Sequence, residues 1–97
     1  MSSKATLTSV GDESSSTSLI AANPERTGLL LTNTSSAILY ILLGGGTATA
    51  TTAHSLRLAA SGGQIDLSDI SGRCFKGAIS GIWASDAGGA VNITELE

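Results

Sequence analysis

The stretch GLLLTNTSSAILYILL, residues 28–43, indicates the fold class of this chain most directly. Its two apolar segments, residues 28–32 and 37–43, lack the spacing of an amphipathic helix and are rich in residue types that fill buried strands. The polar residues 33–36 between them are typical of a short connection. We predict two β-strands that form an antiparallel hairpin at the centre of a sheet, and we expect the first strand to be buried on both faces.

Short apolar segments recur on either side of this stretch, at intervals of about eight to twelve residues that contain turn-forming residues. Several of these segments alternate apolar and polar residues, as half-buried strands do. Gly77 and Gly81 lie inside a longer apolar segment and indicate a bulge or the close approach of another backbone. The strands that we predict are residues 5–10, 18–22, 28–32, 37–43, 55–58, 64–67, 75–85 and 91–94.

We therefore predict an all-β fold: a small antiparallel β-sandwich, jelly-roll-like, of about seven or eight short strands. The 97 residues form one domain, and residues 1–4, or slightly more, form a loose N-terminal arm. Two segments each fit two kinds of local structure. Residues 47–53 fit either a mobile loop or a weak edge strand, and residues 68–73 fit either a loop or a single helical turn.

Charge and aromatic content limit the classes of function. The net charge is −3, and the basic residues do not cluster, as binding of nucleic acid or of an anionic membrane would require. The core is aliphatic, because the chain has one Phe, one Trp and one Tyr, so self-association or docking on a larger body should add to its stability. We find neither a signal peptide nor an apolar stretch of the roughly 20 residues that span a bilayer, and we expect synthesis in the cytoplasm.

Few residues of this sequence could take part in catalysis or metal binding. His54 is the single histidine, and Asp66 or Asp69 could join it in a Ser-His-Asp set, but no serine lies in a G-x-S-x-G turn. Asp66, Asp69 and Asp86 could meet at a calcium ion, although their spacing matches no EF-hand loop and solvated turn carboxylates are the simpler interpretation. Cys74, the single cysteine, can form no intrachain disulfide and no zinc site with one histidine. We therefore predict no enzyme, no catalytic residue, no cofactor and no metal.

Two blocks of the sequence form a recognisable pattern. The first consists of NPER, GLLLTN and LY within residues 23–40, and it is similar to A-N-P-x-R-x-G, an apolar strand, then N-x-S-x-x-x-L-Y. The second consists of GAISGIW, GG and VNITE within residues 77–95, and it is similar to G-x-I-S-G-I-W followed by G-x-V-x-V-T-E. In this order the blocks resemble small β-sandwich virion proteins of tailed bacteriophages, of the capsid decoration (cement) or head-fibre type.

The resemblance implies a virion structural protein, made in the host cytoplasm and located on the phage head, where it binds the major capsid protein and stabilises the assembled shell. It also implies many copies that associate as a homotrimer. The scattered basic residues predict no nucleic-acid and no membrane partner. The candidate contact or motif residues are Arg26, Tyr40, Ile82 and Trp83. Trp83 could either anchor an interface or be the largest residue of the core.

Two other functions remain open at this point. A tail or fibre module for host-surface binding would need an exposed aromatic or polar patch for a glycan or receptor, and a chain with one Trp and one Tyr has little material for a sugar platform. A small enzyme or metal-binding protein would depend on His54.

Overall fold

The computed structural model describes residues 4–44, 46–49, 54–67 and 75–97. Its strands are β1 (Ala5–Gly11), β2 (Thr17–Ile20), β3 (Gly28–Asn33), β4 (Leu39–Leu43), β5 (Leu56–Leu58), β6 (Gly63–Asp66), β7 (Ile79–Trp83) and β8 (Ala90–Leu96). Each predicted strand therefore has a counterpart. The predicted arm lies outside the described residues except for Lys4, and so does all of the segment 68–73.

The strands form two antiparallel sheets of four. Sheet A has the order β1-β8-β3-β6, and sheet B has the order β2-β7-β4-β5. The pairs are nested around the connection between β4 and β5: β4 pairs with β5, β3 with β6, β2 with β7 and β1 with β8. This is the strand order of an eight-stranded jelly roll. The jelly-roll-like β-sandwich predicted from the sequence is confirmed.

The core lies between the two sheets, because alternate residues of a strand point to opposite faces. Leu29 and Leu31 of sheet A and Leu39 and Ile41 of sheet B belong to this core, and all four are almost completely buried. The other buried apolar residues of the same cluster are Leu19, Ala37, Leu58, Ile79, Trp83, Val91 and Ile93.

The predicted hairpin between β3 and β4 is wrong. β3 lies between β8 and β6 in sheet A, whereas β4 lies between β7 and β5 in sheet B, so residues 34–38 cross from one sheet to the other. Buried Asn33 fixes this crossing, since its Nδ2 donates to the carbonyl oxygen of Ala37 (2.9 Å) and to that of Ala59 (3.1 Å) in the connection between β5 and β6. Residues 33–36 also contain no glycine, the residue that two-residue hairpin turns favour.

The expectation that β3 is buried on both faces is also wrong. Leu29 and Leu31 point into the core, but Leu30 between them is 39% exposed on the outer face of sheet A. Its cross-strand neighbours are Thr94 of β8 and Asp66 of β6. The continuous apolar segment therefore buries one face of the strand and leaves a leucine on the other.

β7 is shorter than predicted, and Gly81 lies at its centre. A Cβ atom at this position would lie 2.8 Å from Cδ1 of Leu19 and 3.0 Å from Cδ1 of Leu39. A larger residue would displace the ends of two core leucine side chains, from β2 and β4, which pack directly against the backbone. The close approach predicted at this glycine comes from side chains rather than from another backbone.

Candidate docking surface

Arg26 lies at the end of the sandwich where the connection between β2 and β3 meets the segment that leads into β7, and its side chain is fully buried. Its Nε donates to Oε2 of Glu95 at 2.8 Å. Nη1 donates to the carbonyl oxygens of Phe75 (2.9 Å) and Gly77 (3.1 Å), and Nη2 donates to that of Ala21 (2.8 Å). The rigid fork of donors in a guanidinium suits a carboxylate and several carbonyls at once. A contact of Arg26 with a partner would require this end of the sandwich to open.

Trp83 lies in the core, with 1% of its surface exposed. Its indole Nε1 donates to Oδ1 of Asn33 at 3.1 Å, and the same oxygen accepts the N–H of Ser35 at 3.2 Å. A buried tryptophan needs such an acceptor for its N–H group. Of the two interpretations of Trp83, its burial agrees with that of the largest core residue.

Asp12 lies in the connection between β1 and β2, at the same end of the sandwich as Asn33. It accepts hydrogen bonds from the connection between β3 and β4 and from the connection between β7 and β8. Its Oδ2 accepts from the Ser35 hydroxyl at 2.6 Å, and its two oxygens accept the backbone N–H groups of residues 87–89 at 3.0–3.2 Å. The Ser35 hydroxyl, together with these N–H groups, holds the pKa of Asp12 below its usual range. The approach is close, because a Cβ atom at Gly89 would lie 2.4 Å from Cα of Ser35.

These bonds join the two sequence blocks that carry the resemblance. Arg26 of the first block pairs with Glu95 of the second, and Asn33 of the first accepts from Trp83 of the second. Their polar groups are therefore satisfied inside the fold, as buried polar groups must be. The motif residues specify the architecture, and a docking surface has to be sought among other residues.

Tyr40 and Ile82 lie opposite each other on β4 and β7, on the outer face of sheet B, and Arg57 lies opposite Tyr40 on β5. Both candidates are half-buried. The ring of His54 meets that of Tyr40 edge-on, with centroids 5.0 Å apart, and its Nδ1 lies 3.1 Å from the carbonyl oxygen of Thr49. The structure thus brings two of the four candidates together, on a different surface from the interior positions of the other two.

Part of this face is covered by residues 46–49, which we call the strap. Ala48 is buried, and its N–H donates to Oγ of Ser16, just before β2, at 2.9 Å. Ser80 points outward from β7 and yet is only 7% exposed. The strap is not part of a strand, and residues 50–53, the rest of the segment for which a loop or an edge strand was predicted, lie outside the described residues.

The outer face of sheet A has no such cover among the described residues. Its central row, read across the four strands, is Leu7, Thr94, Leu30 and Asp66. The next row is Ser9, Asn92, Thr32 and Gln64. We call these eight residues the open face. It carries one charged residue, and its two leucines are the large hydrophobic side chains that the described structure exposes, Leu7 by 69% and Leu30 by 39%.

The open face is suited to binding another protein. Neighbouring strands are about 4.8 Å apart, so Leu7 and Leu30, separated by Thr94, lie roughly 10 Å apart and one partner can cover both. Covering apolar surface stabilises a complex by about 25 cal/mol per Å², before the cost of association. Sequence reasoning missed both leucines as site residues, because it assigned Leu30 to the core and did not consider which side of β1 carries Leu7.

The residues considered for catalysis or metal binding do not lie together in the described part of the structure. Asp66 ends β6 opposite Leu30, whereas Asp86 lies in the connection between β7 and β8 at the other end of the sandwich, where it accepts the N–H of Ser14 at 2.6 Å. Asp69 and Cys74 lie outside the described residues. Within the described part of the chain, no group of three or more His, Cys, Asp or Glu side chains is placed to hold a metal ion.

Comparison of the chain with protein-family models, with curated protein sequences and with solved structures found no match. Among residues 4–44, 46–49, 54–67 and 75–97, no helix has the length and apolar character needed to cross a lipid bilayer.

Proposed function

We propose that this chain is a structural protein of the bacteriophage virion, a capsid decoration (cement) protein that binds the assembled head and stabilises it without catalysing a reaction. The open face is the observation that carries this proposal. It presents two exposed leucines and a row of small polar residues on a rigid sheet, while the strap covers part of the opposite surface. The resemblance of the two sequence blocks to phage virion proteins supplies the partner, the major capsid protein.

The charge of the chain supports the same function. Copies on a capsid lattice lie close together, and a net charge of −3 keeps the repulsion between them small. On the open face only Asp66 is charged, so the face can approach a shell surface without desolvating many ions. A protein that binds the assembled shell and not the free subunits stabilises the shell by mass action.

The test measures binding to heads purified from a mutant of the encoding phage that lacks this chain. Recombinant protein is added back, the heads are sedimented, and bound copies are counted by quantitative mass spectrometry. We expect saturable binding and a higher temperature of DNA release from the decorated heads. Leu30→Lys should weaken binding by about tenfold or more, because it replaces one of the two exposed leucines with an ammonium group that must lose water in the contact.

The matched control is Ser18→Lys. Ser18 is exposed on β2, on the outer face of sheet B, so the variant adds the same charge to the other side of the sandwich. We expect its binding to stay within about threefold of the wild type. The proposal fails if the heads bind no protein, or if the two variants bind equally well. Attachment to tails rather than heads would contradict decoration and support the tail or fibre module.

A further inference from the structure

The two sheets have four edges, and three of them carry features that discourage the addition of another strand. β5 has three residues and includes Arg57. β6 has four residues and ends at the charged Asp66. β2 has four residues, and its register with β7 shifts between Ser18 and Ile20. Shortness, charge and irregular pairing are the means by which natural proteins protect sheet edges.

The edge of β1 carries none of these features. The strand has seven residues, ATLTSVG, with no charge and no proline, and among the described strands it pairs only with β8. Lys4 and Glu97 exchange both backbone hydrogen bonds (3.2 and 2.9 Å). In an antiparallel pair only every second residue forms such bonds, so from Lys4 onward every second residue of β1 bonds to β8. The N–H and C=O groups of Ala5, Leu7 and Ser9 therefore point away from β8, toward the open edge.

We propose that a second copy of this chain adds its own β1 to this edge in antiparallel orientation, with Leu7 opposite Leu7 across a twofold axis. The three outward-facing residues of each copy then exchange backbone hydrogen bonds, and the two A sheets become one sheet of eight strands. The leucines form an apolar stripe from Leu30 through both copies of Leu7 to the second Leu30.

Charge complementarity favours the second copy and this orientation. Lys4 directly precedes β1, and its Nζ lies 3.7 Å from Oε1 of Glu97 while its side chain stays 68% exposed. The exposed Glu13 follows β1, and its carbonyl oxygen accepts the N–H of Trp83 at the end of β7. In the antiparallel pairing Lys4 lies opposite Val10 of the second copy, at the end of β1 that leads to that copy's Glu13, and the symmetric arrangement repeats at the other end. A parallel pairing would place like charges together at each end, which is unfavourable.

This interface gives a weak dimer rather than the trimer that the resemblance implies. One strand edge buries less surface than a standard protein interface, so association should depend on concentration in the micromolar range. The pairing deepens the proposed function, because it joins two open faces into one continuous surface. No step of it depends on the capsid, and its test uses the purified protein alone.

The test is sedimentation velocity over a concentration series of the full chain. We expect a shift from the 9.6 kDa monomer to twice that mass. Leu7→Pro removes an N–H group that does not bond to β8, so the fold should persist while the added strand loses a donor. Leu7→Lys places two ammonium groups across the twofold axis. Each variant should raise the dissociation constant by about tenfold or more.

Leu30→Lys is the matched control, since it adds the same charge to the same face but two strands away from the edge. Its dissociation constant should stay within about threefold of the wild type. Glu13→Lys should weaken the dimer, because it removes the negative charge that follows β1. A trimer, a monomer at every concentration, or a dimer that Leu30→Lys disrupts as strongly as Leu7→Lys would overturn the inference. Head binding by a strictly monomeric protein would overturn it and leave the decoration function standing.

Discussion

Replacing Arg26 with alanine should destabilise the fold strongly. The guanidinium is completely buried, and its removal takes a donor from the Glu95 carboxylate and from three backbone carbonyls. Breaking a buried ion pair by removing one partner costs about 3–5 kcal/mol. The Glu95 side chain is 17% exposed, so water can partly replace the lost donor and the lower figure, about 3 kcal/mol, is the better expectation. For a domain of this size that corresponds to a fall in Tm of roughly 12–24 °C.

Urea denaturation followed by tryptophan fluorescence measures this effect. Trp83 is the single tryptophan and lies in the core, so its emission reports the opening of the sandwich. The control is Arg57→Ala, which removes an exposed arginine and should change the free energy of unfolding by less than about 0.5 kcal/mol. Arg26→Lys should fall between the two, because an ammonium keeps the charge but cannot reach acceptors on several sides. An Arg26→Ala variant within about 1 kcal/mol of the wild type would refute the reasoning.

Three further substitutions test the other packed contacts. Trp83→Phe removes the indole donor to Asn33 and should cost about 1–3 kcal/mol by urea denaturation followed by circular dichroism; a neutral effect would mean that this bond contributes little. Gly89→Ala forces a Cβ atom against the connection between β3 and β4 and should lower the free energy of unfolding by about 1–3 kcal/mol, measured by thermal melting. Gly11→Ala is the control, because its Cβ atom meets open space, and the same measurement should find it nearly neutral. The lowered pKa of Asp12 means that its contribution to stability is complete above its unfolded pKa of about 4 and is lost as the pH falls through its folded pKa. Asp12→Asn should therefore flatten the fall in unfolding free energy as the pH drops below about 4, and an unchanged slope would contradict the role of this carboxylate.

The positions of the strands could be predicted because they depend on local pattern. In β5, β6 and β8, alternation of apolar and polar residues places Leu58, Ile65 and Ile93 on the inner face, and all three contribute to the core or pack against it. The bends between strands follow from turn chemistry. Gly62, with a φ of 114°, occupies a backbone conformation that other residues rarely adopt.

The assignment of β3 and β4 to different sheets could not be read from the local sequence. Both strands are apolar and joined by a short polar segment, which fits a hairpin as well as a crossing between sheets. The choice depends on bonds between distant residues, above all those of Asn33 with Ala59 and Trp83. The exposure of Leu30 follows from the same choice, since a strand of a two-layer sandwich has only one buried face.

The candidate contact or motif residues belong to the two sequence blocks, and membership of these blocks does not show which side chains reach the surface. Arg and Trp are enriched at interfaces, but here Arg26 and Trp83 are buried inside the sandwich and donate their hydrogen bonds there. A better signal was present in residues 5–11, where Leu7 shares the face of Ala5 and Ser9 while Val10 points toward the core. A large apolar residue on the polar side of an uncharged edge strand indicates a contact surface.

We propose the open face of sheet A as the surface that docks on the phage head. A cryo-electron microscopy map of decorated heads, at a resolution that separates the two sheets, tests it most directly. We predict jelly-roll density with Leu30 and its row against the shell and with the strap facing solvent. Density in which sheet B and the strap contact the shell, or shells without any such density, would show that the open face is not the docking surface.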